Sequence, residues 1–208
     1  MAKKAGTSNA TALEIAVRQD LANLPPDLFT SKWVLERVPY LFDGNAESFR
    51  EWRHTLCDQL KVDAACLLII GSAAVGLSLS PHKNLKPFRA TSDVDVAVVS
   101  THYFDIVWRW LRSLGAERYA WPPDVQHSIT EHRARLVYWG IVATDKLLAY
   151  TPLGSAWLPA LAEVTKEGKA AGRDVKIRLY RDFEALRAYQ VQGIRELNRK
   201  LANADDSD

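Results

Sequence analysis

The residues whose types and spacing could do chemistry lie between Cys66 and Val99, in "CLLIIGSAAVGLSLSPHKNLKPFRATSDVDVAVV". Asp93 and Asp95 stand two residues apart in the run "DVDVAVV", which is otherwise apolar. A strand alternates its side chains between two faces, so the carboxylates project side by side while Val94 and Val96 enter the core. Like charges that close repel each other and call for a counter-charge, most simply a divalent cation. Upstream, the apolar run "CLLII" ends in Gly71-Ser72. Glycine lets the backbone come close to a ligand, and Ser72 with the N–H groups of a starting helix can donate to phosphate oxygens. Between the two motifs, the loop from Ser80 to Ser92 carries Lys83, Lys86 and Arg89, which are cations suited to phosphates. The stretch reads as a metal and phosphate site.

The rest of the chain must position these groups. Residues 1–8 read as a disordered tail, and Ser8 or Asn9 is placed to cap a helix over 10–23 that Pro25-Pro26 stops. A second helix is expected from Ser31 to Tyr40, and a third over 46–61 with Phe49, Trp52, Leu56 and Leu60 at helical spacing. "ACLLIIG" is a short apolar run of the kind that forms a strand buried on both faces, and "DVDVAVV" is a second strand. Thr101 is placed to cap a helix over 102–114, followed by an irregular connection, "ERYAWPPDVQHSITEHRA". "RLVYWGIVA" reads as a third strand, Leu153 to Thr165 as a helix and "DVKIRLY" as a fourth strand. Asp182 leads into a final helix over 183–202, and "NADDSD" reads as a frayed tail. The expected fold is α/β (α+β): a small mixed sheet flanked by helices, with an N-terminal helical arm and a C-terminal helix. The organisation is a tail and arm over 1–45, one domain with its C-terminal helix over 46–203, and an acidic tail over 204–208.

Composition narrows the classes. At 208 residues with 48% apolar and 25% charged residues, the chain is too apolar for a disordered protein and large enough for a single core. A net charge of +2 does not single out a polyanionic partner, so any nucleic-acid contact must rest on local patches. Cys57 and Cys66 lack metal-ligand spacing, and a reducing, cytoplasmic setting fits two isolated cysteines. "MAKKAGTSNA" has no apolar signal region, and no stretch is long enough to cross a bilayer, so no membrane partner is expected. His82, His102, His127 and His132 show no zinc spacing and read as structural or surface residues.

In order, Ile69-Ile70-Gly71-Ser72 and Ser92-Asp93-Val94-Asp95-Val96 resemble the nucleotidyltransferase fold of the DNA polymerase beta superfamily, over residues 46 to 180. The resemblance implies Asp93 and Asp95 as ligands of Mg2+ (or Mn2+), and Gly71 and Ser72 as a triphosphate cradle. It implies a nucleoside triphosphate as donor and a hydroxyl of a protein, RNA or small molecule as acceptor. Paired magnesium ions would neutralise charge on the attacking oxygen and the leaving pyrophosphate. Small stand-alone members resemble toxin–antitoxin or phage-defence components, which makes antiviral defence the setting the resemblance suggests.

The chain departs from that pattern at two places. Twenty residues separate Ser72 from Asp93, which is longer than the family's common spacing, so the loop is an insertion. Many members carry a third carboxylate on a later, adjacent strand, whereas the polar face of "DVKIRLY" offers Asp174, Lys176, Arg178 and Tyr180. Three arrangements follow: Asp174 completes the catalytic set, Asp145 does, or the site has two acids only. Lys176 and Arg178, if directed at the site, would compete with a metal while still serving phosphates. The leading expectation is a metal-dependent nucleotidyltransferase. The alternatives are a catalytically silent nucleotide-binding or regulatory module, and an RNA- or DNA-binding interaction domain working through the N-terminal helices and the basic loop. Homo-oligomers or a partner could engage the terminal helices.

Overall fold

The structure, a computed structural model, describes residues 5–205, with side chains over 12–203. Eight α-helices and four strands are described: α1 (Ala5–Asn23), α2 (Pro26–Thr30), α3 (Ala46–Leu60), β1 (Leu67–Ile70), α4 (Gly71–Val75), β2 (Val94–Val99), α5 (Thr101–Ser113), α6 (Pro123–Glu131), β3 (Ile141–Ala143), α7 (Gly154–Val164), β4 (Val175–Tyr180) and α8 (Phe183–Asp205). The expected mixed α/β architecture is present.

The strands lie in the order β1-β2-β4-β3. β1 runs antiparallel to β2, β2 parallel to β4, and β3 antiparallel to β4. A parallel pair cannot be joined by a tight turn, so everything from α5 to α7 lies in the crossover between β2 and β4. The two central strands are β2 and β4. All of β2 except Asp95 is buried, and β4 alternates buried Val175, Ile177 and Leu179 with half-buried Lys176 and Arg178. The parallel register sets Asp95 opposite Lys176 and Ala97 opposite Arg178. The polar side chains of the sheet thus collect on one face at the start of β2 and β4.

That face looks towards α8. The Tyr180 hydroxyl, fully buried, accepts a bond from Gln190 Nε2 at 3.1 Å. Asp182 caps α8 by accepting from Ala185 N–H at 2.7 Å. The terminal helices pack on the domain: α1 and α2 both contact α8, and Asn198 Nδ2 donates to the Leu21 carbonyl. Elsewhere α3 packs on α7, and Tyr103 of α5 donates its hydroxyl to the Leu60 carbonyl while its ring meets Trp157 edge-on. Trp157 is in the core, and Trp110 and Trp121 stack half-buried against that core, with rings 6.0 Å apart.

Several boundaries differ from expectation, each for a local reason. α1 begins at Ala5, ahead of the expected start near residue 10; residues 1–4 and the Ser8 and Asn9 side chains lie outside the described residues. The second helix starts after Pro25, with Pro26 in the first turn where a missing N–H costs nothing, and passes into a wider π-type turn over Ser31–Leu35. Ser100, not Thr101, caps α5, because the Thr101 hydroxyl is turned to the Arg181 carbonyl at 2.8 Å. The connection after Gly115 is not irregular: Pro122-Pro123 opens α6, which buries Val125 and Ile129 one turn apart. "RLVYWGIVA" is a strand only over Ile141–Ala143, since His132–Leu136 is a π-type turn and Gly140 has φ +71°. The expected tail also begins later, because α8 continues to Asp205; residues 206–208 lie outside the described residues.

His132 is a buried structural residue. Its Nδ1 is 2.6 Å from the Ser128 carbonyl, and its Nε2 accepts from the Ala143 N–H at 3.0 Å. Only the neutral ring with its proton on Nδ1 satisfies both partners. Burial accordingly holds its pKa below the usual histidine range. The ring ties α6 to β3.

Candidate functional site

β1 delivers the chain into the site at Gly71, which has φ +65°. A Cβ built on Gly71 would stand 3.0 Å from Asp95 Oδ2. Both the backbone conformation and the close approach of Asp95 therefore require glycine there. α4 lasts one turn and ends at Gly76, and the chain enters the long loop. This loop is fixed rather than free: Leu77 bridges Pro87, Ser78 N–H donates to the Lys86 carbonyl and Phe88 N–H donates to the Gly76 carbonyl, each at 2.8 Å. Buried Leu85 anchors its tip in a left-handed conformation.

These bonds bring the sequence motifs together. Ser72, Lys83, Lys86, Arg89, Asp93 and Asp95 line one cavity of about 170 Å³ beneath the loop. Arg173 secures it from below, donating through Nη1 to the carbonyls of Arg89, Ala90 and Ser92 at 2.7, 3.0 and 3.0 Å and stacking on Phe88. Sequence reasoning missed Arg173. A cation just before the carboxylate-facing strand was the available signal.

The carboxylates are already paired. Lys176 Nζ lies 2.5 Å from Asp93 Oδ2, and Arg178 Nε lies 3.5 Å from Asp95 Oδ1, with Nη2 4.0 Å from Asp145 Oδ2. The Asp93 bond holds the Lys176 ammonium above its usual range. Burial works to lower the Arg178 guanidinium, but Asp95 and then Asp145 outweigh it and the net shift is upward. Burial pushes the Asp95 carboxyl above the usual carboxylate range, and the Arg178 charge offsets only part of that.

Asp174 lies at the strand's edge. Its carbonyl accepts from Val94 N–H at 2.8 Å, but its side chain is exposed, and the place beside Asp95 belongs to Lys176. Asp145 reaches the group through Arg178, and its charge also acts on Asp95 and Lys176. Among the described residues, no group of three or more His, Cys, Asp or Glu side chains comes together as a metal centre would need. Both carboxylates are matched to cations of β4, Lys176 and Arg178. The arrangement instead offers fixed positive charge on both sides of the acids, suited to an anionic ligand.

A second cavity, about 460 Å³, adjoins the first and shares Ser72, Ser78, Lys83 and Asp95 with it. Its far wall comes from Arg135, Trp139 and α8, none of which sequence reasoning had placed at the site. The signal was weak: these residues lie 40 to 101 positions beyond Asp95 and carry no motif.

No family model matches the chain, and neither the curated proteins nor the solved structures contain a significant match to it. Among the described residues, no helix is long and apolar enough to cross a membrane.

Proposed function

We propose that this chain binds the phosphates of a nucleoside triphosphate beneath the Ser80–Ser92 loop, as a catalytically silent nucleotide-binding module on a nucleotidyltransferase-like core. The observation that carries the reading is the convergence of Ser72, Lys83, Lys86 and Arg89 on the cavity that also contains Asp93 and Asp95. Lys176 and Arg178 compensate the two carboxylates internally, which supports binding that needs no metal. The free thiols of Cys57 and Cys66 suit a reducing, cytoplasmic location, with burial pushing Cys57 up to about 11.

A second reading keeps transfer activity, and one observation favours it: Asp93 and Asp95 line one cavity, with Asp95 against Gly71, as suits a metal-dependent nucleotidyltransferase. In that reading Asp93 and Asp95, with Asp174 or Asp145 as a third carboxylate, would hold Mg2+ or Mn2+, which would supply charge neutralisation. The acceptor would be a hydroxyl of RNA, a protein or a small molecule, and an antiviral or toxin–antitoxin role would follow. Incubation with each labelled triphosphate and Mg2+ or Mn2+, with and without RNA, separates the two. Retained label with no released pyrophosphate and no labelled product supports the silent module; a labelled product lost in Asp95→Asn establishes the transferase.

A further inference from the structure

Gly193 sits in the middle of α8 with no packing reason to be glycine. A Cβ built there meets nothing within 4 Å, and the residue is not in a left-handed conformation. Glycine weakens a helix interior, so a position with room for alanine normally gains by having it. The open space beside Gly193 belongs to the 460 Å³ cavity next to the phosphate cavity.

The surroundings describe what would enter. Tyr189, Gly193 and Glu196 fall at i, i+4 and i+7 on α8 and share one helix face along the cavity. Trp139 and Arg135 contribute a flat aromatic ring and a planar cation to the wall. Gln192 donates to one Glu196 oxygen at 3.0 Å, which leaves the other oxygen able to accept. A flat ligand with hydrogen-bonding edges, wide enough to need the missing side chain, matches this lining. The shared residues Ser72 and Lys83 make it continuous with the phosphate site.

We infer that Gly193 opens a nucleobase subsite, in which the base and ribose of the bound nucleotide lie against α8 while its phosphates occupy the loop cavity. The inference rests on the phosphate-binding reading above and adds a specificity-determining residue to it. A side chain at position 193 fills the subsite without touching the phosphate-binding groups.

The test compares inorganic tripolyphosphate with ATP, GTP, CTP and UTP by calorimetry, on wild type, Gly193→Ala and Gly193→Leu. At least one triphosphate is expected to bind wild type about tenfold or more tightly than tripolyphosphate. Gly193→Leu is expected to bring that nucleotide down to the tripolyphosphate affinity while tripolyphosphate itself binds unchanged. Gly193→Ala, which should fold at least as well as wild type, guards against loss through misfolding and should show an intermediate loss. If no nucleotide exceeds tripolyphosphate, or if Gly193→Leu keeps the full advantage, the base subsite is wrong while the phosphate reading stands. If wild type binds neither tripolyphosphate nor any nucleotide, both fall together.

Discussion

Lys176 of β4 reaches across the parallel register to Asp93, with Nζ 2.5 Å from Oδ2, at the edge of a site where a third carboxylate would otherwise be sought. The pair is half-exposed, so its own contribution to stability is small, within about 1 kcal/mol. Its importance is chemical. A lysine in that place supplies positive charge permanently, without a metal and without needing a particular pH near neutrality, because its pKa is raised further by Asp93.

Replacing that lysine should therefore change what the site binds. Lys176→Asp would set a third carboxylate beside Asp93 and Asp95 in the register described. Titration with MnCl2 alone should give a binding isotherm for the variant and none for wild type. Equal Mn2+ binding by the two proteins would show that Lys176 does not occupy the metal's place.

The loop cations should act additively and electrostatically. Lys83→Ala, Lys86→Ala and Arg89→Ala should each weaken tripolyphosphate binding by about fivefold, corresponding to about 1 kcal/mol for a partly solvated charge-assisted contact. The salt dependence of binding should become shallower with each charge removed. Variants with wild-type affinity and an unchanged salt slope would move the phosphates away from the loop.

Asp95 gives a pH signature with a definite sign. Its folded pKa is raised, so the folded protein holds the proton more tightly than the unfolded chain does. The corresponding stability is present below the usual carboxylate pKa of about 3.9 and is lost as pH rises through the raised value. In urea unfolding at several pH values from about 4 to 7, wild type should gain stability relative to Asp95→Asn as pH falls. A pH-independent difference between the two would contradict the burial argument.

His132 should titrate with the opposite consequence. Its folded pKa is depressed, so its contribution is present above about pH 6.5 and is lost as pH falls towards the folded value. His132→Ala strands the Ser128 carbonyl and the Ala143 N–H, and should cost about 2 kcal/mol of stability. Tripolyphosphate affinity at neutral pH should be unaffected, since both ring nitrogens are bonded to backbone groups of α6 and β3. Reduced affinity in a folded variant would assign the ring a role at the site.

The legible parts of the site were those written in short local patterns. Alternation placed Asp93 and Asp95 on one face, and a glycine ending an apolar strand placed Gly71 against them, because both follow from the backbone within a few residues. The loop cations were legible as charges; the bonds that converge them, from Arg173 and the Leu77–Pro87 bridge, were not. Lys176 and Arg178 were visible as a polar strand face, but their pairing depends on a register between strands that are about 80 residues apart, which no local pattern encodes. The same reason hid α8 as a wall of the second cavity. α6 was missed because a proline pair reads as a breaker, although at a helix start it serves as an opener.

In the proposed reading, lysine and arginine of β4 take the place of metal at this site. Calorimetric titration of the wild-type protein with each of the four nucleoside triphosphates, in EDTA and then in Mg2+, tests it most directly. The account predicts that a nucleotide binds in EDTA with an affinity within about threefold of that in Mg2+, a difference below 1 kcal/mol. Binding that appears only when Mg2+ is present would contradict it.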